Sequence, residues 1–190
     1  MRRRSAAAVF NNRAWKDMKT GIIILLLLIL LAVWLISEQR KLSALDENVK
    51  NAMGQIGIQI SSRYDAVVAL VEMTRHYDRN MRELVSCVRE KRRTITAETE
   101  PEEAAEQDAV LTKVWKVLME TAERYPAVQN EQNYEKYRAA AESYERMLHT
   151  SGLIYNDTVS RYNQAISRFP ANVAAGLLRF PKRAYLERKG

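Results

Sequence analysis

The sequence predicts an all-α protein: a single N-terminal transmembrane helix, then an antiparallel up-and-down bundle of three long helices with a candidate short fourth. Three observations predict it. Residues 21–36, GIIILLLLILLAVWLI, carry no charge, and Thr20 and Ser37 extend the run to 20–37. About 20 apolar residues cross ~30 Å of hydrocarbon as a helix, which satisfies its own backbone hydrogen bonds where lipid cannot. Beyond residue 41 the apolar positions recur at steps of three and four, the period of one helix face. No stretch alternates with period two between turn signals, so no strand is expected. Only 6 glycines and 4 prolines occur in 190 residues, which suits long helices.

The chain divides into a basic tail (1–19), the transmembrane helix (20–37), a helical domain (38–180) and a basic C-terminal tail (181–190), expected to be mobile. Arg2, Arg3, Arg4, Arg13, Lys16 and Lys19 precede the apolar run against Asp17 alone. After it, Arg40 and Lys41 are flanked by Glu38, Asp46 and Glu47. Lys and Arg are retained on the cytoplasmic side, so the N-terminus is expected inside and the domain outside, a cytoplasmic domain being the alternative. Trp15 and Trp34 lie near the two ends, at interface depth. Leu35-Ile36-Ser37-Glu38 offers no small-residue cleavage site, which favours an uncleaved anchor over a signal peptide. The net charge of +7 sits largely beside the span and at the C-terminus, so the bilayer is the expected partner. Cys87 is the single cysteine, so no intramolecular disulfide can form.

The first helix of the domain is expected to run about 50 residues. Its stripe is Leu42, Leu45, Val49, Ala52, Ile56, Ile60, Tyr64, Val67, Leu70, Thr74, Tyr77, Met81, Val85 and Val88. Gly54 and Gly57 near that stripe each cost about 1 kcal/mol relative to Ala in a helix, which marks a close helix–helix approach. Residues 94–101 read as a turn. Glu102, Glu103 and Glu106 then suit the first turns of a second helix. Its stripe, Ala104, Asp108, Leu111, Trp115, Leu118 and Ala122, holds one polar residue, Asp108. Tyr125-Pro126 ends it, because proline disfavours helical geometry in the preceding residue. A third helix from about Asn130 carries Tyr134, Tyr137, Ala141, Tyr144, Leu148, Ser151, Tyr155, Val159, Tyr162, Ile166 and Phe169, and Phe169-Pro170 stops it. The patch Val173, Leu177, Leu178 and Phe180 is expected to dock on the bundle as the fourth element.

No chemistry-bearing constellation emerges. His76 and His149 lack ligand partners at helical spacing. Cys87 has no paired histidine. Asp65 and Glu72, seven apart with Arg63 and Arg75 near, read as solvated charge pairs, and acid–base work is the rarer reading. The third helix offers two further candidates. Its tyrosines suit either core packing or a partner groove. Asn156 and Asn163, seven apart beside Tyr155 and Tyr162, set two amides in line and can fix helix register. Acidic residues among the bases of this helix argue against nucleic acid. The expectation is no enzyme, metal, cofactor or small-molecule substrate.

Two blocks carry a resemblance. One is GQIGIQISSRYDAVVALVE (54–72), with Arg63, Tyr64, Asp65 and Glu72. The other joins ERYPAVQNEQNYEKY (123–137) to IYNDTVSRYNQAISRFPANVAAGLL (154–178), with Tyr125, Pro126, Asn133, Tyr155, Asn156, Tyr162, Asn163, Phe169 and Pro170. These motifs resemble the LemA family, as a divergent member. Where family members usually read DLIPNLVE, this chain has DAVVALVE at 65–72. A His-Glu pair is replaced by Asn80-Met81, a Tyr-Asn pair by Gln39-Arg40, and two arginines by Met147 and Gly152. The resemblance implies a helical bundle behind a single N-terminal span in a bacterial inner membrane. Some relatives are linked to building intracellular membranes, and others are encoded beside membrane zinc proteases. The expected role is a scaffold or adaptor binding membrane proteins or itself. An accessory delivering substrates to a membrane metalloprotease is the alternative.

Overall fold

A computed structural model describes residues 3–187, without the side chains of 3–14, 16, 17, 79, 80, 82 and 87. Arg2, the side chains of Arg3, Arg4, Arg13, Lys16, Asp17, Arg82 and Cys87, and the last three residues therefore lie outside the described part. The chain is all-helical, with no strand among the described residues. It forms α1 (Arg3–Thr74), α2 (Arg79–Glu90), α3 (Pro101–Arg124), α4 (Tyr134–Ser167) and α5 (Ala171–Leu178), with a 3-10 turn at Pro126–Asn130.

One helix, α1, carries both the apolar run and the first wall of the bundle over 72 residues. From Ile22 to Leu31 every apolar side chain is exposed, as are Val33 and Ile36. A helix apolar on every face and left uncovered by the described residues is unsuited to water. Lys19 Nζ lies 4.2 Å from the centre of the Trp15 ring. Farther on the stripe engages: Leu42, Val49, Ile56, Ile60, Val67 and Leu70 are almost wholly buried.

The first domain helix does not reach Val88. It stops at Thr74, whose buried hydroxyl donates to the Val71 carbonyl at 2.9 Å, and Tyr77 N–H closes a tighter turn on the Thr74 carbonyl at 3.0 Å. The three–four rhythm survives because α2 resumes it after the break. Residues 79–98 then return along α1. Arg89 reaches Glu72, Arg92 reaches Ser61 and Lys50 reaches Glu98, so rising numbers on one meet falling numbers on the other. This return leg lets α3 run parallel to α1, with Arg63 opposite Asp108 and Tyr77 opposite Tyr125. α4 descends antiparallel, with Glu145 opposite Arg63. The three long helices therefore do not alternate as expected: α3 runs parallel to α1 and α4 antiparallel, because the first descending leg is a short helix and an extended segment.

Gly57 explains the fit of that segment. A Cβ there would collide with the Ile95 carbonyl oxygen, so only glycine admits the backbone. The close approach is to extended chain, not to a second helix. Gly54 is different: its Cβ would make an ordinary 3.9 Å contact with Ala97.

α3 begins with Pro101 at its first position and Glu102 and Glu103 in its first turn, and ends at Arg124. α4 starts later than its pattern suggests, at Tyr134, because the 3-10 turn and the left-handed Asn133 (φ 70°) intervene. It ends at Ser167, two residues before Phe169. α5 buries Ala174 and Ala175, whereas Val173 and Leu177 point outward, so only part of the expected docking patch docks.

Candidate functional site

Arg63 is the polar centre of the bundle. At 3% exposure it cannot be the solvated neighbour of Asp65 and Glu72 that its sequence position suggests. Its Nη1 lies 2.5 Å from Asp108 Oδ1 on α3 and 2.7 Å from Glu145 Oε2 on α4, and donates to Thr112 Oγ1 at 3.3 Å. Buried charge must be matched by charge and hydrogen bonds, and here one guanidinium ties three helices together. Arg63 Nε has no hydrogen-bond partner among the described residues. Nearby, Gln107 is also buried and accepts from the Arg93 N–H at 3.0 Å.

The other α1 candidates differ in burial. Tyr64 is buried with the Arg92 guanidinium 4.4 Å above its ring centre. Asp65 is exposed, 3.5 Å from the same arginine. Glu72 pairs with Arg75 at 2.9 Å and Arg89 at 2.6 Å. Asp65 and Glu72 are thus engaged with separate cations.

Four candidates shape turns. Tyr125 caps α3 through its N–H to the Thr121 carbonyl at 2.9 Å, and its ring stands 6.4 Å from that of Tyr77. Pro126 opens the 3-10 turn and Asn133 supplies the left-handed residue before α4; asparagine tolerates that conformation better than most side chains. Pro170 precedes α5 after a cis peptide with Phe169. Phe169 itself is 84% exposed, so it does not belong to the packing stripe of α4.

Tyr155, Asn156, Tyr162 and Asn163 converge on one object, the extended segment 181–187. The Asn163 amide donates to the Arg183 carbonyl and its oxygen accepts from the Arg183 N–H, both at 2.9 Å. Asn156 treats Leu186 identically, at 3.0 and 2.8 Å. The Tyr162 hydroxyl donates to the Pro181 carbonyl at 2.8 Å, and that of Tyr155 to the Ala184 carbonyl at 3.1 Å. The spacing has a simple origin. Seven helical residues rise about 10.5 Å, and three extended residues span about 10 Å. A period of seven on α4 therefore meets a period of three on the strap, running antiparallel. Arg183 also forks onto Asp46 of α1, at 2.8 and 3.0 Å. Burial opposes the Arg183 charge, but its hydrogen bond and attraction to Asp46 outweigh that and raise its pKa. Burial likewise pushes the Tyr155 and Tyr162 hydroxyls above the ordinary tyrosine value. The expected mobile tail is, through residue 187, an ordered strap. The two amides fix the register of that extended strap, where the sequence pointed to the register of a helix.

Sequence reasoning missed Glu145, Asp46 and Arg183. Asp108 was visible as the odd residue of its stripe. The Asp46–Arg183 pair is 137 residues apart and carried no local signal. His76 and His149 are exposed, and among the described residues no group of three or more His, Cys, Asp or Glu side chains is disposed to hold a metal.

Fold and site together define a helical-bundle protein with, among the described residues, one helix long and apolar enough to cross a membrane. The chain belongs to the LemA family, whose model matches residues 52–190. The match includes Arg63, its partners and the strap, and excludes Asp46 and the apolar run. Membership fits a membrane-associated helical protein. Comparison with curated proteins returns no match.

Proposed function

We propose that this protein is a membrane-anchored scaffold or adaptor of the bacterial cytoplasmic membrane, with its N-terminus inside and its helical bundle outside. It acts by binding other membrane proteins or further copies of itself, and the proposal assigns it no reaction. One observation carries the reading: α1 passes without a break from its exposed apolar run into the bundle core. A continuous helix transmits orientation, so the bundle stands at a fixed attitude to the bilayer, which suits spacing or assembling partners. The excess of basic residues before the run supports the orientation.

Extraction in mild detergent, crosslinking and identification of bound proteins tests the role. Recovery of self-complexes or of a defined set of membrane proteins is expected. A chain recovered alone, at monomer mass under every crosslinker, overturns it. Recovery with a membrane metalloprotease would replace it with the accessory reading. For topology, protease added to intact spheroplasts should digest the bundle, and protection of the bundle would reverse the orientation.

A further inference from the structure

We infer that α5 and its flanks form a second membrane contact, resting on the lipid surface beside the span; this rests on the reading of the apolar run as a membrane anchor. The observations begin with an unpartnered face. Phe169, Val173 and Leu177 follow at steps of four and are 84%, 57% and 69% exposed, while Ala174 and Ala175 on the other side are buried. α5 packs on both α1 and α4.

Its height along α1 follows from register. Glu145 lies opposite Arg63, and Asn163 holds Arg183, which holds Asp46. Asp46 is nine residues past Ser37, about 14 Å along the helix. Ser167, four residues beyond Asn163, descends about 6 Å from that level. Phe169 and the start of α5 thus come within about 8 Å of the end of the apolar run. The headgroup layer is about 5–7 Å thick on each side of the hydrocarbon. The start of α5 is therefore at the outer edge of the headgroup layer, from which apolar side chains reach toward the boundary where an interfacial helix buries its greasy side.

Charge selects the occupant. From residue 168 to 186 there is no Asp or Glu. Arg168, Arg179 and Lys182 are exposed and have no carboxylate partner among the described residues. Bare cations flanking an apolar face match anionic lipid headgroups above acyl chains. A second copy of the chain would bring its own cations to the same place, an arrangement that charge disfavours.

The test uses the full chain in liposomes of phosphatidylethanolamine and phosphatidylglycerol with brominated acyl chains. In a Cys87→Ser background, single substitutions Leu28→Cys, Leu177→Cys and Ile154→Cys are labelled with an environment-sensitive fluorophore. All three replaced side chains are exposed, so folding is undisturbed. The label at 177 should shift to the blue and be quenched within about a factor of two of the label at 28, while that at 154, on the middle of α4, stays unquenched. Quenching at 28 with none at 177 refutes the second contact and leaves the anchor standing. Absence of quenching at 28 refutes the anchor, and this inference with it. Energy transfer between labels at 177 on different copies, without quenching, would assign the face to self-association and overturn the proposal. Replacing phosphatidylglycerol with phosphatidylcholine should weaken quenching at 177 and leave that at 28 unchanged.

Discussion

The Arg63 centre and the strap ladder solve opposite problems with opposite chemistry. At Arg63 a full charge is enclosed and two carboxylates answer it. The interaction is strong only if every partner is present, because a lone buried ion is costly. In the ladder the side chains are neutral and read main-chain groups, which every residue but proline offers in pairs. The centre is therefore specific to side-chain identity, whereas the ladder is specific to spacing. One device holds three helices in one arrangement; the other pins an extended segment at fixed intervals whatever its sequence.

The most damaging test of this contrast is Arg63→Met. It removes the guanidinium that Asp108 and Glu145 share and should lower stability by about 3–5 kcal/mol, measured by thermal or denaturant unfolding in detergent. Adding Asp108→Leu should recover a good part of that loss, since removing both members of a buried pair is far milder than removing one. If the double variant is as unstable as the single, the centre does more than compensate its own burial.

A smaller and local effect is expected from Asn156→Ala combined with Asn163→Ala. Each change removes two hydrogen bonds to the strap, with net contributions of about 1 kcal/mol each. Hydrogen exchange should accelerate at the Arg183 and Leu186 amides while α1 and α4 amides remain protected. Global unfolding instead would mean that the ladder, like the Arg63 centre, supports the whole bundle.

The mildest test is alkaline pH. Burial favours the neutral hydroxyls of Tyr155 and Tyr162, raising their pKa in the folded state. Their contribution is fully present below the unfolded tyrosine value of about 10 and is lost as pH rises through the higher folded value. Strap protection should hold to about pH 10 and fall above it. Tyr162→Phe should cost about 1 kcal/mol at neutral pH and flatten part of the alkaline fall.

The two regions were unequally legible. The seven-residue repeat of Tyr-Asn on α4 could be read directly, because helical periodicity is written in adjacent residues. Its partner could not, since the 181–187 strap engages through its backbone and leaves almost no trace in side-chain pattern. Asp108 advertised the buried pair, but Arg63 looked like any surface arginine beside two acids, and only tertiary packing turned it inward. The break at Thr74 was hidden because α2 resumes the same stripe. The run of apolar residues and the caps of α3 were plain, being local signals of lipid compatibility and of helix ends.

The unbroken passage of α1 has a mechanical consequence. From Ser37 to Thr74 it rises about 55 Å. Transmembrane helices lean about 20° on average and lean more as the bilayer thins, and that angle would carry the top of the shaft about 19 Å sideways. A lever so geared would turn a small change in bilayer thickness into a large lateral sweep of whatever the far end holds.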